Sequence, residues 1–502
     1  MNAKRILSLI LAVIMLCSMF LFACGKDDDK GGAAGGNIAT QEEQDESKVY
    51  DAEIKNLNGH EFRFIIRRNQ HAHLSVNEVY AENPTGDKIN DAVFARNAQL
   101  QEKYNCTIVE DPMTAIAQAV REPLIAGEYI ADYILGVAYN LRPLAASNLL
   151  VDLSVLDNIN LDKAWYDPNG MQGMNVGGKV FFINGDGCTL DDRTAWIMFF
   201  NKDWVEEVDP DLNLYEKVTE GKWTIDLMYD LMVKSKKDGN GDGVLTPGNA
   251  QDRMGYIGEP MNNWFHVNGC GVTLSRISSS GDYEIPAQPK PELLAAWEAL
   301  RPLLTSETRE VASAGHHFRS GLSTFYACNL GSILNAANTT ISMGVLPLPK
   351  MNEQQEKYYT GVSYGQLGCF AIPTTVDNCE DWELNGFTSG REQAAYFLEA
   401  FSYYSMLTLT PAFYDQVILK QSIRDVESVD MVEIALANKL YDPVVGYDFG
   451  KINIFSECGS GEAGANGTDA NYDTFVSTYE SRFNAARKAL MDYLNYINTE
   501  EA

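Results

Sequence analysis

Glu61-Phe62-Arg63-Phe64-Ile65-Ile66 alternates polar and apolar residues and then turns wholly apolar, as a strand entering a core does. Working outward, Ile89, Val93, Phe94 and Leu100 fall near helical spacing, and Tyr104 to Val109 reads as a second strand. Ala115 to Leu124 is helical again, and Tyr129 to Val137 contains a third strand. The order βαβαβ predicts a mostly parallel sheet with helices outside it.

The N-terminal residues set the expected compartment. Lys4 and Arg5 precede the apolar run Ile6 to Phe22, which meets Ala23 and a cysteine, the layout of a secretory signal peptide. Leu21-Phe22-Ala23-Cys24 resembles the bacterial lipobox, departing from it at Phe22, where a small or β-branched residue is usual. A leader at 1–23 and a lipid on Cys24 are therefore expected, with the chain anchored to the outer face of the cell membrane. Each methylene of such an anchor gains about 0.8 kcal/mol on burial, so attachment needs no contact between protein and lipid. Residues 24–49, beginning Gly25-Lys26-Asp27-Asp28-Asp29-Lys30, hold almost nothing apolar and read as a disordered tether.

From Tyr50 onward the chain is too long for one core and suits two lobes, and an apolar content of 45% supports a globular body. The formal charge of −30 excludes nucleic acid as a natural partner, because it repels phosphate. Of the nine cysteines, Cys17 leaves with the leader and Cys24 carries lipid, so Cys106, Cys188, Cys270, Cys328, Cys369, Cys379 and Cys458 remain. They are sparse and without CxxC spacing, which excludes a disulfide scaffold or a zinc–cysteine cluster, though a pair such as Cys369 and Cys379 could bridge.

Several short motifs follow one another in a family-like order: Asp132-Tyr133, Leu150-Val151-Asp152-Leu153, Gly178-Lys179-Val180-Phe181-Phe182 and Phe200-Asn201-Lys202-Asp203-Trp204. Gly221-Lys222-Trp223-Thr224, Gly344-Val345-Leu346-Pro347-Leu348-Pro349-Lys350 and Ala371-Ile372-Pro373 continue it, and Tyr441-Asp442 looks like a variant found in large lipoprotein members. From about Tyr50 to the C-terminus the chain resembles the extracellular solute-binding proteins of ATP-driven (ABC) importers, the sugar-binding group especially. The resemblance implies a two-lobed α/β fold of the periplasmic-binding-protein type II, each lobe a mixed sheet flanked by helices. It implies crossings near Phe182 to Phe199 and Leu346 to Lys350, with lobe one at 50–187 and 351–404 and lobe two at 188–350 and 405–502. It further implies a monomer without enzymatic activity that captures a solute, a mono- or oligosaccharide, in a hinged cleft and presents it to a membrane permease.

The sharpest local motif is Asp238-Gly239-Asn240-Gly241-Asp242-Gly243-Val244, with an oxygen-bearing side chain at every second residue, a spacing that wraps oxygens around calcium. Asp238, Asn240 and Asp242 would supply side-chain oxygens and Val244 a carbonyl; Asn249 stands where a bidentate Glu is usual, and the resemblance offers Asp252 to complete the set. The expected role is structural, and the alternative is an acidic turn without an ion.

For a sugar, Trp and Tyr offer flat faces to ring C–H groups while Asp and Asn accept from its hydroxyls. Trp165, Tyr166 and Trp264 are the leading ligand candidates, joined by Asp186, Asp191 and Trp196 beside the first crossing, Asn263, and Tyr326 and Tyr364 near the return. Trp223 is assigned to packing. A surface-anchored glycoside hydrolase or esterase is the competing class. Gly361-Val362-Ser363-Tyr364-Gly365 fits the nucleophile-elbow pattern, but the residues after it, Gln366 to Pro373, read as a strand where the elbow needs a helix. His71 with His73 and His316 with His317 are the histidine pairs among six histidines, too few to outweigh a surface loop as their reading.

Overall fold

The computed structural model describes residues 45–68, 77–246, 249–258, 262–277, 283–305, 314–332, 341–414, 426–449 and 467–498. Its strands are β1 (His60–Arg67), β2 (Cys106–Met113), β3 (Tyr133–Val137), β4 (Trp196–Asn201), β5 (Met254–Ile257) and β6 (Arg276–Ile277). They continue as β7 (Tyr283–Glu284), β8 (Ser323–Asn329), β9 (Met343–Leu346), β10 (Thr360–Gly361), β11 (Gly368–Ala371) and β12 (Lys439–Leu440).

The first sheet has the order β11-β3-β1-β2, with β1 parallel to β2 and β3 and β11 antiparallel to β3. Parallel strands are covered on both faces, which is why β1 buries Phe62, Phe64, Ile65 and Ile66 together. The helix Lys88–Tyr104 supplies one cover. Asp87 caps its start by accepting from Asn90 N–H at 3.0 Å, and Asn105 ends it in the left-handed region at φ 50°. Against it packs the helix Gly390–Phe413, whose Phe397 ring stacks on Phe62 at 3.7 Å and whose Phe401 ring lies under the Arg96 guanidinium at 3.9 Å.

The second sheet runs β5-β8-β4-β9, with β4 antiparallel to both neighbours and β5 parallel to β8. Every residue of β4 is buried, as a central strand between covering helices requires. Ile225–Ser235 covers β5, with Thr224 accepting from Leu227 N–H as its cap, and Glu427–Leu436 lies on β9. The long C-terminal helix Gly467–Asn498 packs on Pro291–Thr305.

The chain leaves the first sheet after Ile183, which bridges to Phe370, and enters the second at Trp196. Its return falls later than the expected Leu346 to Lys350. Lys350 still bridges to Thr224, Tyr358 accepts from Trp223 N–H at 3.1 Å, and Gln355 donates to Gly269 at 2.8 Å. Met351 to Tyr358, expected with lobe one, is thus fastened to the second sheet's side, and the first sheet resumes only at Gly368. The boundary expected at Tyr404 falls inside the unbroken helix Gly390–Phe413, whose residues up to Tyr404 pack in the first sheet's core and whose Phe413 packs with Ile197, Phe199 and Val432. Between the sheets, β10 and β12 pair in parallel and Ala195 bridges to Val362. The described cysteines Cys369 and Cys379 are both free thiols, so the suggested bridge is absent.

Candidate functional site

Asp167 is the N-cap of the helix Pro168–Met174, where Pro168 presets φ for the first turn. Its Oδ1 accepts from Asn169 N–H at 2.9 Å and Gly170 N–H at 3.2 Å, while Oδ2 accepts from the Tyr441 hydroxyl at 2.6 Å. Lys439 and Tyr441 are two residues apart on extended chain and project to one side. Lys439 Nζ reaches Asp167 at 2.8 Å, Asp191 at 3.2 Å and Asp192 at 2.7 Å. Asn184 ties the cluster by donating to Asp191 at 3.1 Å and to the Tyr441 oxygen at 3.0 Å. Two glycines make room: a Cβ at Gly170 would lie 2.1 Å from Asn184 Oδ1, and Gly185, at φ 147°, would place one 2.3 Å from the Trp165 carbonyl.

The Lys439 side chain is only 5% exposed. Burial acts against its charge, yet Asp167, Asp191 and Asp192 outweigh burial and raise its pKa well above the ordinary lysine value. For Asp167, burial is likewise outweighed, by Lys439, and the pKa is lowered. Asp191 goes the other way: burial dominates, and the neighbouring Asp192 and Asp167 add to the rise. Asp186, close by, is lifted by burial to about 7 although the Thr410 hydroxyl donates to it at 2.5 Å.

A cavity of about 420 Å³ opens beside this cluster, lined by Trp165, Asp186, Asp192, Thr410, Glu433 and Lys439 among others. That volume is in the range of small-molecule sites. One wall comes from the segments on either side of Pro168–Met174 and from the end of Gly390–Phe413; the other comes from Glu427–Leu436 and β12.

Of the residues expected to bind ligand, the cavity gathers Trp165, Tyr166, Asp186 and Asp191. Trp165 is 0% exposed, packed edge-on against Tyr403 at 5.2 Å and tilted against Tyr50 at 6.2 Å, and Tyr166 turns its hydroxyl to Glu399 at 2.7 Å. Neither offers an open ring face. Trp196 stacks on Phe265 at 3.8 Å, and Trp264 is 2% exposed within the core of the second sheet's side. Asn263 is half-buried in the helix Asn262–Gly269. Tyr326 stacks on Phe199 at 6.1 Å, and the Tyr364 hydroxyl accepts from Asp442 N–H. These five stand away from the cavity; for the four aromatics, burying large apolar areas against neighbouring strands and helices outweighs leaving the rings exposed. Sequence reasoning missed Lys439, Asp192, Thr410, Tyr414 and Glu433. The spacing of Lys439 and Tyr441, next to the noted Tyr441-Asp442, was the one usable signal for them.

In the acidic loop, the side chains turn to the backbone. Asp238 accepts from Gly241 N–H at 2.7 Å and Gly243 N–H at 2.8 Å, Asn240 from Asp242 N–H at 2.8 Å, and Asp242 from Val244 N–H at 2.8 Å. Asp252, buried, clamps the loop from behind through Gly239 N–H at 3.2 Å and Thr246 N–H at 3.0 Å. Asp238 and Asp252 each accept through both oxygens, and each such oxygen keeps a second lone pair. Oxygens of Asp238, Asn240, Asp242 and Asp252 with the Val244 carbonyl fit a hard cation in chemistry.

Ser363 is followed by the strand β11 and not by a helix, so no nucleophile elbow forms there. His316 and His317 sit in the helix Ala314–Arg319. His71, His73, Cys458, and the leader, Cys24 and most of the tether lie outside the described residues. Among the described residues, no helix is long and apolar enough to cross a membrane.

No family model matches the chain, and no curated protein matches it. Solved structures do. A cyclo/maltodextrin-binding protein complexed with maltotetraose superposes with a TM-score of 0.52 at 13% identity, over 88% of this chain and 98% of that one. The GacH receptor of Streptomyces glaucescens GLA.O, solved unliganded and with acarbose, gives 0.49 at 12% identity, over 87% and 99%. The first likeness, with the two mixed sheets, gives this chain the two-lobed α/β fold of that structure.

Proposed function

We propose that this chain is an extracellular solute-binding lipoprotein that holds a carbohydrate in the cavity beside Lys439 and hands it to an ABC importer. The observation that carries the reading is the cavity, whose walls come from both sides of the molecule and are rich in acceptors: Asp186, Asp192 and Glu433 with Thr410 and Tyr414. Each sugar hydroxyl brings one O–H donor, and a carboxylate accepts from it in a charge-assisted hydrogen bond stronger than a neutral one. The fold supports it, since the maltodextrin-binding neighbour carries its maltotetraose on the same architecture.

The lobes divide, in this reading, as 50–187 with the 368–413 region against 188–361 with the C-terminal part, and ligand favours the closed arrangement. Capture at micromolar concentration corresponds to about −8 kcal/mol, within reach of several charge-assisted hydrogen bonds after ordering costs. The leader and Cys24 support lipid anchoring at the outer face of the cell membrane, and the acidic loop supports a structural calcium held by Asp238, Asn240, Asp242, Val244 and Asp252.

The test is calorimetric titration of the lipid-free chain with glucose, maltose and maltotetraose, with chromatography of the same mixtures. Saturable one-to-one binding with sugar recovered intact supports the proposal. Appearance of shorter sugars would favour the hydrolase class, and no heat with any sugar would remove the carbohydrate assignment.

A further inference from the structure

We propose that the outer end of the first sheet carries a site for one borderline divalent cation of the Zn²⁺ type, formed by His60 Nδ1, Cys379 Sγ and an Asp381 carboxylate oxygen. His60 opens β1, Asp132 immediately precedes β3, and Cys379 and Asp381 lie at the 3-10 turns after β11. One ligand atom from each of His60, Cys379 and Asp381 lies within 4.8 Å of the other two, the one such group among the described residues.

Three independent features favour an ion over a chance cluster. First, His60 is 4% exposed and its Nδ1 makes no hydrogen bond, though it stands 3.5 Å from Asp381 Oδ2. Leaving a buried polar atom unsatisfied costs about 1–3 kcal/mol, which a coordinated cation would recover. Second, His60 Nε2 lies 3.2 Å from Asp132 Oδ1, and Asp132 is itself fixed, accepting from Arg63 N–H at 2.8 Å and the Tyr129 hydroxyl at 2.9 Å. When Nε2 carries the proton for Asp132, the Nδ1 lone pair is left aimed at Cys379 and Asp381. A histidine steered in this way by a carboxylate is the usual support of a metal ligand. Third, the donor set of imidazole nitrogen, thiolate sulfur and carboxylate oxygen suits Zn²⁺ and excludes Ca²⁺ and Mg²⁺, which take oxygen alone.

Coordination draws nitrogen to about 2.0 Å and sulfur to about 2.3 Å from the ion, so Asp381 must swing inward; its side chain is 58% exposed and sits at the mouth of the site. That opening supplies the entry path and leaves a fourth position for water. In the metal-free protein a proton competes for Nδ1: burial works against the imidazolium, but Asp132 and Asp381 outweigh it and raise the His60 pKa. None of His60, Cys379 and Asp381 lines the cavity beside Lys439, so the two sites are separate. Its effect is to clamp the turn 379–381 onto the sheet.

The experiment titrates the full chain with Zn²⁺, with Ca²⁺ in excess, against a chromogenic chelator, and follows thermal unfolding alongside. One Zn²⁺ per chain at micromolar affinity or tighter is expected, with a rise in Tm. Cys379→Ser and Asp381→Asn, both at the edge of the site and expected to fold, should each weaken that affinity at least tenfold. Co²⁺ in place of Zn²⁺ should give a thiolate charge-transfer band that Cys379→Ser abolishes. His60→Gln risks the fold and is read only by its melting curve without metal. Affinity unchanged in both edge variants, no thiolate band, or no stoichiometric binding at 100-fold excess Zn²⁺ each overturns the site.

Discussion

Replacing Lys439 by Met keeps the length of the side chain and removes the cation that Asp167, Asp191 and Asp192 share. The three carboxylates then sit beside a low-dielectric cavity wall without their partner, which lies 2.7–3.2 Å from them in the wild type. Removing one member of a buried ion cluster costs about 3–5 kcal/mol, because desolvation of the others is no longer offset. Asp191, whose pKa is already raised by burial, would take up a proton in the variant and relieve part of that loss, so the cost stays near the lower end at neutral pH. The pH window follows from the shifts. Asp167, lowered, contributes stability present above the unfolded carboxylate pKa near 3.9 and lost as pH falls through its folded value. Lys439, raised, contributes stability present below about 10.4 and lost as pH climbs through its folded value. Urea unfolding of wild type and Lys439→Met between pH 4 and pH 9 should show a gap widest near pH 8 to 9 that narrows toward pH 4. A gap under about 0.5 kcal/mol at pH 8, the value of an ordinary surface substitution, would refute the claim that this cluster is desolvated.

Trp264→Ala should destabilise the chain by about 3–5 kcal/mol, as large-to-small core changes do, with any loss of sugar affinity explained by unfolding; calorimetry of the folded fraction showing a tenfold weaker Kd would contradict it. Asp186, lifted by burial to about 7, favours the folded state when protonated below about pH 4 and loses that advantage as pH rises through about 7. Asp186→Asn should therefore gain in Tm on wild type across pH 4 to 7, and a constant difference over that span would dispose of the assignment. Calcium chelation should lower the Tm of wild type and leave Asp238→Ala unchanged; equal shifts in both would remove the ion from the loop.

Local order was legible because it depends on neighbours in sequence. The alternation that fills in at Phe64-Ile65-Ile66 specified a strand entering the core, and the βαβαβ rhythm specified parallel pairing of β1, β2 and β3. The turn at Asp238 to Val244 was equally plain, since its hydrogen bonds close within a few residues. What the chain reserved for tertiary structure were contacts made across its whole length. Lys439 meets Asp191 from 248 positions away, and His60 meets Asp132 from 72. Neither pairing leaves a spacing pattern, because it is set by which segments the crossings bring to one place. The packing of the aromatics was not legible for a related reason: a Trp reads alike whether its faces meet a sugar or a Tyr403, and only the surrounding helices decide which surface is removed from water.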